Sequence, residues 1–172
     1  MSVTVRAARP SDVNAVFELI SSLADYERLL HEVEATPEQV AEALFGETPR
    51  VFCDLAEIDG EIVGFGLWFY TFSTFRGKHG LYLEDLFVKP EHRGLGVGRI
   101  LLGHLAARCL AENLGRLEWS VLDWNEPAIA FYRSMGATLM NGWTMCRLDG
   151  SALAALGGMA APSLGAAVGA RI

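Results

Sequence analysis

Tyr82-Leu83-Glu84-Asp85-Leu86-Phe87-Val88-Lys89-Pro90-Glu91-His92-Arg93-Gly94-Leu95-Gly96-Val97-Gly98 decides how the rest of the 172-residue chain is read. The apolar first half, interrupted by two adjacent carboxylates, reads as a strand, and Lys89-Pro90 as a turn. Arg93 then leads into alternating glycines, and a helix is expected from about Arg99. Gly94, Gly96 and Gly98 carry no Cβ to hold an anion away from their amides. The helix adds free N–H groups and the positive end of its dipole. Such a corner suits a pyrophosphate, with Arg93 offering charge-assisted contacts to the same group. A glycine-softened turn between strand and helix is the plainer alternative. Two other phosphate loops do not fit, because neither Gly-x-x-x-x-Gly-Lys-Ser/Thr nor Gly-x-Gly-x-x-Gly is present.

Arg93-Gly94-Leu95-Gly96-Val97-Gly98 resembles the acetyl-coenzyme A signature Arg/Gln-x-x-Gly-x-Gly/Ala of the GCN5-related N-acetyltransferase (GNAT) superfamily. Tyr82 to Val88, together with Trp124-Asn125-Glu126-Pro127 and Phe131-Tyr132, is similar to the diamine (spermidine/spermine) acetyltransferase branch. The similarity spans roughly residues 3 to 149. It implies acetyl-coenzyme A as co-substrate, bound by Leu86, Phe87, Val88, the run Arg93 to Arg99 and Asn125. The superfamily's central strand bulges and splays from its neighbour, so the amides of Leu86 and Val88 are expected to pair with the pantetheine arm. The resemblance also implies a homodimer, and a Tyr26-Glu27 pair that contacts the amine. A solvated helix end is the plainer reading of Tyr26 and Glu27.

Composition bounds the rest. Hydrophobic residues make up 51% and aromatics 10%, which argues for one folded domain and against disorder. The net charge of −7 disfavours nucleic acid as a partner and steers cationic substrates inward. Cys53, Cys109 and Cys146 form no Cys-x-x-Cys pair and read as reduced thiols of a cytoplasmic protein. No apolar run is long enough to cross a bilayer, and no secretory signal opens the chain. His31, His79, His92 and His104 lack metal-ligand spacing, so no metal is expected.

In chain order, Val3 to Ala7 alternates like a strand, and Ser11 is read as the N-cap of a helix with Val16, Leu19 and Leu23 on its apolar face. Thr36-Pro37-Glu38-Gln39 has the form of a capping box, and that helix stops at Gly46. Val51 to Ile58 and Glu61 to Tyr70 form a hairpin around Asp59-Gly60, followed by a loop from Ser73 to Gly80. After the glycines, Leu101, Leu102, Leu105, Ala106, Cys109 and Leu110 are assigned to one helix face. Leu117 to Leu122 reads as a strand, Asn125 as the cap of the next helix, and Thr138 to Leu148 as a closing strand or hairpin. The expected fold is α/β (α+β): a mixed, mostly antiparallel sheet with helices on both faces, over 1–150. Residues 151–172, rich in Ala and Gly, are read as a short helix at Ala152 to Leu156 and a flexible tail.

Acetyl transfer to an amine needs a proton acceptor, because an alkylammonium with a pKa of about 10 has no free lone pair. It also needs a donor for the thioester oxygen and a proton for the departing thiolate. Glu84 and Asp85 are neighbours on a strand, so only one faces a cleft unless a bulge re-aims them. Glu84, which matches the superfamily's proposed base, is the expected base, acting through water. A carboxylate paired with Lys or Arg is the alternative. Asp85 is assigned to structure or substrate binding. The resemblance places the Tyr132 phenol beside the thioester sulfur as general acid.

The leading functional reading is N-acetylation of a small cationic amine of the diamine or polyamine kind. Ser73-Thr74-Phe75-Arg76 departs from the diamine enzymes, which carry an acidic and an aromatic residue there, and Arg76 leaves room for an acceptor with its own carboxylate. A lysine-like amino acid, an aminoglycoside-type amine, a protein amine, or a non-catalytic acyl-coenzyme A sensor are the other readings.

Overall fold

A computed structural model describes residues 2–159. A sheet of five strands carries the fold, in the spatial order of the sequence: β1 (Val3–Ala7), β2 (Phe52–Ile58), β3 (Glu61–Ser73), β4 (Lys78–Val88) and β5 (Leu117–Trp119). β1 to β4 pair antiparallel in turn, and β5 alone runs parallel, beside β4. The parallel pair requires a crossover, which α3 (Val97–Ala111) supplies. The other helices are α1 (Val13–Tyr26), α2 (Pro37–Phe45), α4 (Glu126–Ser134) and α5 (Gly150–Gly157).

Helices cover both faces of the sheet, as the sequence leads one to expect. On one side Val16, Leu19 and Leu23 of α1 and Val40 and Leu44 of α2 pack on Leu55, Phe65 and Phe87. On the other, Val97 and Leu101 of α3 pack on Ala56, Ile58 and Val63, flanked by Leu86 and Val88. Each fully buried side chain of this size contributes about 1.5–3 kcal/mol. Thr36 and Gln39 form the expected reciprocal capping box, with bonds of 3.3 and 2.9 Å.

Several local expectations are corrected. Ser11 is not the cap of α1. It lies in a 3-10 turn, Pro10–Asp12, closed by Asp12 Oδ2 accepting from the Arg9 amide at 2.7 Å. Asp12 is also paired with Arg6 at 2.7 Å, and Arg6 reaches Glu57, so these charges tie β1 to the head of α1. Half of the loop expected from Ser73 to Gly80 is ladder, since Thr71 to Ser73 pair with Lys78 to Gly80. The helix after the glycines starts at Val97, two residues early, and its Ala106 and Leu110 are exposed, Leu110 by 84%. β5 ends at Trp119 and not at Leu122.

The chain divides into two units between Met135 and Gly136. The closing strand from Thr138 to Leu148 is not formed. Extended backbone becomes a strand only where a neighbour completes its ladder, and these residues pair with none among those described. The short helix is present as α5, and the expected flexible tail from 160 lies outside the described residues.

Candidate active site

The pairing of β4 creates the site. Its ladder with β3 slips between Leu67 and Trp68, whose partners are Asp85 and Leu83, so Glu84 is the extra residue of a bulge. The bulge resolves the alternation problem posed by two adjacent carboxylates. Glu84 is exposed, while Asp85 is half-buried. On the other edge, β4 pairs with β5 only from Leu81 to Leu83, yet β4 continues to Val88. The Lys89 amide donates to Val63 O, and antiparallel alternation then turns the amides of Leu86 and Val88 away from β3. They lie on the edge that β5 has left.

The glycine loop lies at the end of that free edge. Gly94 and Gly96 have φ of +77° and +83°, a conformation that side chains rarely adopt, and nothing lies within 4 Å of where a Cβ would stand on either. Gly96 caps α3, so Val97 and Gly98 belong to the first helical turn, with Arg99 following. Leu95, between the two left-handed glycines, is 53% exposed. The open loop, the first turn of α3 and the unpaired β4 amides fit the pantetheine and diphosphate of acetyl-coenzyme A. Arg93 has a more engaged position than its expected role implies. Its Nε donates to Val88 O at 3.0 Å, and its guanidinium lies 4.6 Å from the Tyr26 ring centre and 5.4 Å from that of Phe87.

Two helix ends complete the site. Asn125 caps α4, its buried Oδ1 accepting from the Ala128 amide at 3.3 Å and from the Tyr26 hydroxyl at 3.3 Å. Seven residues further, Tyr132 is 8% exposed and packs against Trp119 of β5 at 5.1 Å. Phe131 turns elsewhere, its Cζ 3.5 Å from the Cβ position of Gly98. Successive rings of α4 thus serve the β5 side and the glycine loop.

Electrostatics group the titratable residues. Burial, then the charges of Glu84 and Glu27, push Asp85 up to about 6. Burial, then Glu27 and Tyr26, push Tyr132 up to about 12. Burial raises the Glu27 carboxyl as well. Glu27 therefore acts on both Asp85 and Tyr132, bringing the end of α1 into the same site as the bulge and α4. Such shifts gather where chemistry is done.

Other expectations fall outside this cluster. Arg76 is bound at the tip of the β3–β4 hairpin, Nη1 donating to Gly115 O at 2.8 Å. From Lys78 to Glu84 the strand advances roughly 20 Å, so Arg76 does not reach an acceptor at Glu84 of the same chain. Among the described residues, no group of three or more His, Cys, Asp or Glu is gathered for a metal, and no helix is long and apolar enough to cross a membrane. Cys53 and Cys109 are buried and Cys146 exposed, all unpaired. Arg28 and the ring of Trp124, to which the sequence assigned no role of their own, meet here with Cζ 5.9 Å from the ring centre.

The model of the acetyltransferase (GNAT) family matches residues 15–137. A thialysine N-epsilon-acetyltransferase of Bos taurus is 38% identical over 167 residues, covering 91% of this chain and 98% of that protein. An L-ornithine N5-acetyltransferase of Arabidopsis thaliana is 32% identical, covering 88% and 86%. Among solved structures, an integron cassette protein from the mobile metagenome of V. cholerae superposes with a TM-score of 0.76 at 28% identity, over 91% of this chain and 98% of that one.

Proposed function

Because the chain belongs to the acetyltransferase (GNAT) family, we propose that it acetylates the side-chain amine of a lysine- or ornithine-like amino acid, with acetyl-coenzyme A as donor. The observation that carries the chemistry is the β4 edge, where Glu84 bulges outward and the amides of Leu86 and Val88 have no strand partner. The observation that favours an amino-acid acceptor is the likeness to the thialysine and ornithine enzymes. Thialysine and ornithine are both α-amino acids that end in a primary amine. A diamine or polyamine is the second reading, favoured by the likeness of residues 82–88 and 124–132 to that branch.

Acetyl-coenzyme A supplies the acetyl group as a thioester. Glu84, through water, takes the proton from the terminal ammonium, freeing the lone pair that forms the new N–C bond. A β4 amide donates to the carbonyl oxygen as it gains charge. Tyr132 is protonated at neutral pH and gives its proton to sulfur as the C–S bond breaks. Asp85 and Glu27 supply negative charge that attracts the incoming ammonium.

The test is an acceptor panel of L-lysine, thialysine, L-ornithine, putrescine, cadaverine and spermidine, assayed with acetyl-coenzyme A by release of free thiol. Highest kcat/KM for the amino acids is expected. Turnover of the diamines or spermidine alone would refute the amino-acid reading in favour of the second one.

A further inference from the structure

An α-amino acid differs from a diamine by its carboxylate, so an enzyme that prefers the former needs a cation placed for it. Arg76 lies at the far end of β4 with its guanidinium engaged by Gly115 O. Arg93 is held by Val88 O and by the Tyr26 and Phe87 rings at the mouth of the glycine loop. Arg28 differs from both in that its side chain makes no hydrogen bond among the described residues. It is exposed, has no carboxylate partner among the described residues, and lies over the Trp124 ring with its Cζ 5.9 Å from the centre. Trp124 precedes Asn125, whose Oδ1 holds the Tyr26 hydroxyl, and the Tyr26 and Trp124 rings are 6.2 Å apart. The two rings therefore carry one guanidinium each, Arg93 against Tyr26 and Arg28 against Trp124.

The backbone adds an independent observation. Only three non-glycine residues among those described have positive φ: Arg28 at 62°, Asp59 at 50° and Asn113 at 54°. Asp and Asn tolerate this region because their short side chains bond locally, whereas a long side chain such as arginine gains no such relief. Glycine would fit the turn after α1 better. An arginine held in this strained conformation points to work done by its side chain. Here the turn follows directly on Glu27, which acts on Asp85 and Tyr132. Adjacent residues thus divide between the reacting centre and the rim of the same site.

Resting on the amino-acid reading above, we infer that Arg28 is the specificity residue that binds the acceptor's α-carboxylate. A guanidinium lying on an aromatic face keeps its N–H edge free, and that edge matches a carboxylate in two parallel hydrogen bonds. The ring fixes the side chain in advance and so lowers the ordering cost on binding.

The test compares L-ornithine with putrescine, and L-lysine with cadaverine, each pair differing by the carboxylate. The readout is the ratio of kcat/KM for the amino acid to that for the diamine. Arg28→Gln should lower this ratio about 10- to 100-fold, mainly through KM for the amino acid. Arg28→Lys should recover part of it, keeping the charge but not the fork. Arg28→Gly should lower the ratio equally while melting no lower than wild type, since glycine relieves the backbone and separates recognition from folding. An unchanged ratio in Arg28→Gln, or equal losses on both members of each pair, overturns the Arg28 assignment while leaving the amino-acid reading in place. A wild-type enzyme that acetylates diamines and not amino acids overturns that reading, and the role of Arg28 with it.

Discussion

The Tyr26 hydroxyl donates to Asn125 Oδ1 at 3.3 Å, joining the last residue of α1 to the residue that caps α4. One oxygen thus serves two donors, because it also accepts from the Ala128 amide. α4 carries Tyr132, so the bond couples the position of the phenol to the end of α1. Tyr26→Phe should cost about 1 kcal/mol, and Asn125→Ala, which also removes the cap, about 1–2 kcal/mol. The double variant should lose less than the sum, because both changes delete the same bond. Urea unfolding of the four proteins checks this, and strict additivity would mean that the bond does not form in solution.

The glycine loop gives a second prediction. Gly96 at φ +83° caps α3, so any side chain there is strained even though open space surrounds the Cβ position. Gly96→Ala should therefore cost about 1–2 kcal/mol of stability and weaken coenzyme A binding. Gly98 differs, because its added methyl would meet Phe131 at 3.5 Å, an ordinary contact. Gly98→Ala should fold normally, so a fall in its coenzyme A affinity by calorimetry reports on the site alone. Unchanged affinity in both variants would place the diphosphate elsewhere.

Asp85 makes stability depend on pH. Burial and two neighbouring carboxylates raise it to about 6, above its unfolded value of about 4. A raised carboxyl favours the fold in its neutral form. Its contribution is fully present below pH 4 and is lost as pH rises through 6. Asp85→Asn should therefore stabilise the protein by about 1–3 kcal/mol at pH 7.5 and by little at pH 4. Thermal melts of both proteins at the two pH values test this. Equal differences at both would show that Asp85 is not raised in the folded state.

What was legible in the sequence was largely what is local. Thr36 and Gln39 lie three residues apart, and their capping box needs nothing from elsewhere in the chain. The turn at Asp59-Gly60 and the cap at Asn125 are of the same kind. Ser11 failed as a cap because Asp12, held by Arg6 from β1, closes a different turn, and that partner is set by the sheet. The extra residue at Glu84 depends on the register between β3 and β4, which alternation alone does not fix. The closing strand failed for the opposite reason, since Thr138 to Leu148 has strand-like residues but no ladder. Arg28 carried no signal, because nothing in Glu27-Arg28-Leu29 marks a left-handed turn.

The proton carriers make the last prediction. Glu84 is exposed on its bulge, within reach of water, and Tyr132 is buried against Trp119. If Glu84 accepts the ammonium proton, Glu84→Gln should lower turnover by about 100-fold or more at pH 7. The loss should shrink towards pH 10, where free amine accumulates without help. Tyr132, raised to about 12, stays protonated over that whole range, so its loss has no pH at which it is repaired. Tyr132→Phe should therefore lower kcat by a similar factor at every pH, with coenzyme A affinity nearly unchanged. A pH–rate profile of wild type and both variants with one good amino-acid acceptor separates the two. Burial, then Glu84 and Glu27, push Asp85 up, so Asp85 adds an acid limb of its own near pH 6 to the profile of all three proteins. Near-wild-type rates in both variants across the range would remove these residues from the chemistry, and a Glu84→Gln loss that alkali does not repair would remove Glu84 as the base.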